Sequence, residues 1–207
     1  PVSKWIPELQ FPDPFLTREV TVRDLLTHNT GLGNADLLWA RGDLALPEIL
    51  RRVRHLRPAY SLRASFVYQN VMYGAAGEVI ARASGMSYAD FLTTRLFEPL
   101  GMTRTHATFG AAAAARDANM SRAHYRIRDT IRVIDEDTVD AVPAAGSVWS
   151  TASDMARWAR FLLDSARVGG KRLVSARSYA ELFRPQALVP VDEFYPTTAR
   201  TRPRSSG

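Results

Sequence analysis

Val22 to Leu32 reads VRDLLTHNTGL, and further along Tyr68-Gln69-Asn70 stands just ahead of an apolar, alanine- and glycine-containing run. Thr21 precedes Asp24 by three residues, a spacing at which each side chain can bond the other residue's backbone N–H and open a helix. Val22, Leu25 and Leu26 give that short helix an apolar face, and Gly31 supplies a backbone turn after it. In the second stretch Phe66 to Tyr68 reads as extended, and side chains two apart in an extended segment project to the same side. A phenol and a carboxamide therefore share one face. Asn70 also stands where it can cap a helix predicted over 71–83, with Gly85 as the C-terminal stop.

Helix signals continue outward on both sides. Pro47 takes a first-turn position, with Ile49, Leu50 and Val53 on one face behind it. Ser87 with Asp90 opens a helix that points Phe91, Leu92 and Leu96 inward and ends at Pro99 and Gly101. Thr151 with Asp154 opens the clearest one. Its Met155, Trp158, Ala159 and Leu162 fall at i, i+3, i+4 and i+7 and predict one buried stripe. Gly169-Gly170 predicts a turn, and Ser175 opens a last helix through Tyr179, Leu182 and Phe183 that stops before Pro185.

Strand signals are sparse, with one or two exposed strands expected between Arg126 and Val139. Ala111 to Ala115 reads as a loop or a frayed helix. Residues 1–186 are expected to form one partial domain, and 187–207, rich in prolines and polar residues, an irregular tail. Apolar helix faces with so few strands are the pattern of an α/β protein deprived of its sheet.

Composition narrows the functions. With 46% hydrophobic and 23% charged residues in 207, the chain is long enough for one domain with a real core or for two small lobes. No apolar run approaches the length that crosses a bilayer, so no membrane segment is expected in this chain. Cysteine is absent, which excludes disulfides, thiolate catalysis and cysteine-held metals. The net charge of +6 raises nucleic acid as a partner. Lysine occurs only twice, however, so 25 of the 27 cationic residues are arginines, scattered over amphipathic segments without the aromatic interleaving of a stacking groove. A nucleic-acid partner is not expected.

Common catalytic constellations are missing. There is no phosphate loop, no dinucleotide turn, no His-Glu-x-x-His zinc helix and no Gly-x-Ser-x-Gly elbow. His28, His55, His106 and His124 lie far apart in sequence, and a lone histidine is more often a packed or surface residue than a ligand. Neither a metal nor an organic cofactor is expected.

One family resemblance remains. VRDLLTHNTGL is similar to the "LLTHTSGL" loop of serine β-lactamases of class C type and of the penicillin-binding proteins, D-alanyl-D-alanine peptidases and esterases related to them. Tyr68-Gln69-Asn70 resembles that family's Tyr-x-Asn element. Ser84-Gly85-Met86-Ser87-Tyr88, Phe97-Glu98-Pro99-Leu100-Gly101-Met102, and Ala144-Ala145-Gly146 with Ser150-Thr151-Ala152-Ser153-Asp154-Met155-Ala156 resemble its later landmarks. The opening, Pro1 to Glu8, is similar to the "PVSKYLPE" that follows the nucleophile-bearing helix. These segments come in the family's order and cover most of residues 1 to about 165. The resemblance implies an α/β (α+β) fold of β-lactamase/transpeptidase type, in which an antiparallel sheet is flanked by helices and carries a helical lobe. This chain would be mostly the helix-rich middle part.

The same resemblance assigns roles. Tyr68 becomes the catalytic acid/base, because a phenol of ordinary pKa near 10 is pushed toward phenolate by the lysine ammonium these enzymes supply. Asn70 becomes the substrate-binding residue, holding a substrate carbonyl. The nucleophile of the family is the serine of Ser-x-x-Lys. No such motif occurs here, since Val168 stands three residues before Lys171 and Pro1 three before Lys4. Lys-Thr-Gly and His-x-Gly are absent too.

The expectation is therefore a fragment of a serine hydrolase, inactive alone, whose parent forms an acyl-enzyme with a β-lactam, a D-amino-acid peptide or a small ester. The alternative is a non-catalytic binding module derived from the same family. A periplasmic or extracellular setting follows from the resemblance only.

Overall fold

The computed structural model describes residues 1–187, so the tail expected over 187–207 lies outside the described residues except for its first position. The fold is assembled around one helix. Helix α1 covers Pro14–Glu19, α2 Val22–Leu26, α3 Leu46–Arg52 and α4 Asn70–Ser84. The Thr21–Asp24 capping box is present in full and opens α2, which ends at Thr27, earlier than the expected stop at Gly31. Pro47 sits in the first turn of α3, and Ile49, Leu50 and Val53 behind it are all buried.

Around α4 the N-terminal elements gather. Its Val71, Met72, Ala75, Ala76 and Val79 are buried together with Val2, Ile6, Leu9, Leu25, Leu32, Ile49 and Val142 in one cluster. Two glycines let the 142–145 turn lie directly on the helix. A Cβ at Gly74 would stand 3.1 Å from Val142 Cγ1, and one at Gly77 only 2.8 Å from Ala144 Cβ. Gly85 ends α4 in the left-handed region at φ 70°, as its sequence position predicts.

A second, smaller cluster follows. Ser87 caps α5, Tyr88–Leu92, which continues through a π-helical turn at Thr93–Phe97 into α6, Glu98–Leu100. Pro99 does not end this segment; it occupies the first turn of α6, and Gly101 ends it at φ 68°. Ala111 to Ala115 is not a loop, because Thr108 caps a helix α7 over Phe109–Ala114. Phe97, Leu100 and Met102 pack with Ala107, Phe161 and Ala166.

The hydrophobic stripe of α8, Ala152–Leu163, differs from the sequence reading. Met155 is 45% exposed and Ala159 is exposed; of the expected stripe Trp158 and Leu162 pack inward, and Asp154 and Phe161 join them there. The reason is what meets the helix. Asp154 accepts hydrogen bonds from the Arg104 N–H (2.8 Å) and the Thr105 hydroxyl (2.9 Å), turning its own face toward the Met102–Thr105 segment. Among the described residues no element covers the Met155 side.

Strands are few, as expected. β1, His124–Ile127, pairs antiparallel with β2, Thr130–Val133, in a hairpin exposed throughout. β3, Arg167–Val168, pairs with β4, Lys171–Arg172, across the Gly169-Gly170 turn, and α9 spans Ala176–Leu182. Phe66 to Tyr68 belongs to no strand; its backbone bonds to a loop instead. No helix of the described residues is long and apolar enough to cross a membrane.

Candidate active site

The loop after α2 and the segment leading into α4 are joined by a ladder of unlike bonds. The Val67 N–H donates to the His28 carbonyl (3.0 Å), and the Gln69 N–H donates to His28 Nδ1 (3.1 Å). Gln69, fully buried, returns the connection through its side chain: Nε2 donates to the Gly33 carbonyl (2.5 Å) and Oε1 accepts the Ala35 N–H (3.2 Å). Asn34 Nδ2 donates to the Tyr68 carbonyl (3.5 Å). Residues 28–35 thus hold residues 67–69 in the absence of any strand pairing.

Glycine makes the loop possible at one point. Gly31 has φ 79°, and a Cβ there would stand 2.3 Å from the Tyr60 carbonyl oxygen, so no side chain fits. That carbonyl belongs to the 57–63 strap, which lies on the loop through Ala59 and Tyr60 N–H bonds to the Gly31 carbonyl (2.8 and 3.0 Å). Arg63 anchors the strap with a two-pronged pair to Asp24, both contacts 2.8 Å. Asp24 is buried, which alone would raise its pKa. The Arg63 and Thr21 hydrogen bonds outweigh burial and bring it below the ordinary carboxylate value.

Tyr68, the expected acid/base, is 42% exposed and leans on the His28 ring, with centroids 4.7 Å apart. Tyr73 stacks on the same imidazole at 5.0 Å, and Phe66 meets it edge-on at 5.2 Å. The two tyrosines differ in what they can do. Tyr73 Oη donates to the Leu26 carbonyl (2.9 Å), and burial, reinforced by the neighbouring Tyr68, pushes its phenol above the usual value. Tyr73 is thus held as a phenol by the Leu26 carbonyl, whereas the Tyr68 side chain lies at the surface.

Asn70, the expected substrate-binding residue, is adjacent in chain and half-buried, but it does not cap α4. It is the first residue of the helix, Gln69 takes the cap position, and no side-chain cap bond is made. Asn70 Nδ2 instead donates to Asp36 Oδ1 (3.0 Å). Asp36 in turn accepts from Trp39 Nε1 (2.9 Å) and Asn34 Nδ2 (2.9 Å). One amide proton of Asn70 is committed to the protein, leaving its carbonyl oxygen and second N–H for other partners.

Sequence reasoning gave His28 no catalytic or ligating role and gave none to Asn34, Asp36 or Gln69. The missed signal was compositional: several polar residues crowd positions 28–36 beside a helix end, which is more than a surface loop needs. An open cleft of about 590 Å³ near Phe109, Met120, Arg122 and Ile134 contains neither Tyr68 nor Asn70. Among the described residues no group of histidine and acidic side chains is arranged to hold a metal.

Comparison with known proteins supplies the context. The sequence profile of the family described as Beta-lactamase matches residues 1–200. Penicillin-binding protein 4 of Amycolatopsis lactamdurans is 28% identical over 199 residues, covering 89% of this chain and 49% of that protein. A D-stereospecific amidohydrolase from a Streptomyces species superposes with a TM-score of 0.70 at 22% identity, over 92% of this chain and 58% of that one. A D-amino acid amidase from Ochrobactrum anthropi superposes with a TM-score of 0.63 at 25% identity, over 84% and 51%. The chain spans between 28% and 50% of the length of the curated relatives it matches.

Proposed function

This chain belongs to the β-lactamase family, whose fold it shares in part and whose chemistry is that of serine hydrolases, and from that premise we propose that it carries the acid/base segment of an acyl-transfer site. Tyr68 accepts the proton of the nucleophilic serine and later returns it to the leaving group, and Asn70 orients the substrate carbonyl. The observation that carries this reading is the pairing itself. An exposed phenol and a half-buried carboxamide lie two residues apart on a segment that buried Gln69 hydrogen-bonds to the 28–35 loop.

The substrate in the whole protein is a β-lactam, a D-amino-acid peptide or amide, or a small ester. The similarity to D-amino acid amidases and penicillin-binding proteins supports an acyl group carried on nitrogen. Fold alone does not choose among them, because one site chemistry serves all three. No Ser-x-x-Lys occurs among the 207 residues, so the chain by itself is expected to form no acyl-enzyme.

Incubation of the purified chain with a fluorescent penicillin and a fluorophosphonate, alongside a chromogenic β-lactam and a p-nitrophenyl ester, tests this. No label and no hydrolysis are expected. Specific labelling of one serine would place a nucleophile outside Ser-x-x-Lys and overturn the proposed division of labour.

A further inference from the structure

We propose that His28 is the positioning residue of the Tyr68–Asn70 segment: its Nδ1 accepts the Gln69 N–H, and loss of that acceptor, by substitution or by a proton on Nδ1, frees the segment from the loop. The proposal rests on the assignment of Tyr68 and Asn70 to the acyl-transfer site.

Three observations carry it. Residue 28 touches the segment by main chain and side chain at once, with its carbonyl taking the Val67 N–H and its ring the Gln69 N–H. The Gln69 bond is the only one of the two that involves a titratable atom. A backbone N–H can only donate, so Nδ1 must be unprotonated and the ring proton must sit on Nε2. Finally, the ring lies against Phe66, Tyr68 and Tyr73, so its position sets the lean of the Tyr68 phenol. His28 holds a left-handed backbone at φ 57°, which puts its carbonyl and its ring on the same strip of chain.

The surroundings favour the neutral ring. The imidazole is buried, and burial lowers its pKa. The titratable groups in contact with the ring are the phenols of Tyr68 and Tyr73, and the charged pair nearest in chain, Asp24 of α2 with Arg63 of the strap, is spent on itself. Burial is the only cause of the shift among the described residues, and because Nδ1 is the acceptor, a proton on it and the Gln69 bond exclude one another.

The test compares His28→Asn with His28→Gly in the full chain. Both residues accept a left-handed φ, but only asparagine offers an acceptor near the Nδ1 position. Amide exchange at Gln69, read by NMR, is expected to be on the order of tenfold faster in H28G than in H28N, with Val79 inside α4 unchanged. In the unsubstituted chain, imidazole ¹⁵N shifts are expected to show the Nε2–H tautomer. Acidification through the His28 titration should accelerate Gln69 exchange beyond its intrinsic pH dependence, and should not do so in H28N.

Equal Gln69 exchange in the two variants, an Nδ1–H tautomer, or identical pH behaviour of the chain and H28N overturns the proposal. Equal acceleration at Gln69 and Val79 overturns it too, since His28 would then act on stability in general. The readout is an amide rather than turnover. Its failure therefore leaves Tyr68 standing as the base, whereas failure of that assignment shows only in acylation.

Discussion

Two tyrosines flank one imidazole, and their surroundings separate them chemically. Tyr73 spends its hydroxyl on the Leu26 carbonyl and is pushed up by burial, whereas Tyr68 faces solvent. In a protein that supplies the serine and lysine around this segment, Tyr68→Phe is expected to slow acylation by on the order of 10²–10⁴-fold. Tyr73→Phe should slow it far less, since it removes a structural hydrogen bond. Stopped-flow acylation by a fluorescent penicillin measures both.

His28 gives a pH signature in stability. Its folded pKa lies below the ordinary 6.5, so the unfolded chain takes up the proton first. The contribution is complete above about pH 6.5 and is lost as pH falls through the lower folded value. Asp24, whose folded pKa is depressed below 3.8, loses its contribution only in a more acidic window. Urea unfolding between pH 7.5 and 5 should therefore show a decline in the unsubstituted chain that His28→Asn lacks. At this scale the sequence proposed Tyr68 and Asn70 by their pattern, but it could not pair Asn70 with Asp36. That contact joins residues 34 positions apart and depends on how the 28–36 loop turns.

The elements show the same division. Capping signals at Thr21, Ser87, Thr151 and Ser175 were readable because a cap is a contact between residues two or three apart. The inward face of α8 was readable only in part, through Trp158 and Leu162, because several apolar residues sit on adjacent faces and a neighbour chooses among them. Asp154, a residue that reads as a cap, is what the Arg104 N–H and the Thr105 hydroxyl hold inward. The consequence is measurable. Phe161, 3% exposed, should cost about 3 kcal/mol on truncation to alanine. Met155→Ala, at a position 45% exposed, should change stability by no more than about 0.5 kcal/mol. Chemical denaturation of the two variants decides, and the reverse order would restore the stripe that periodicity suggested.

For the molecule as a whole, the described residues form two unequal clusters of buried apolar side chains, eighteen residues around α4 and six around Phe97 and Phe161. Local opening is cheapest where few apolar contacts must be broken. Amide exchange at Val71, Met72 and Ala75 is therefore expected to be slower than at Phe161 and Ala166, and equal rates would show that the two clusters open as one. Leu163 (87%), Leu182 (64%) and Phe183 (63%) lie exposed on α8 and at α9, apolar surface that the described residues leave uncovered. By itself the sequence determined the family, the α/β fold class and the positions of the main helices, because ordered motifs, caps and glycine stops are local or linear signals. Only the tertiary structure decided which face of α8 is buried, why Asn70 is not a cap, and that His28, Asn34, Asp36 and Gln69 hold the Tyr68 segment. Each of these is a choice among partners distant in sequence, made by which donor and acceptor the packed chain brings within about 3 Å of each other.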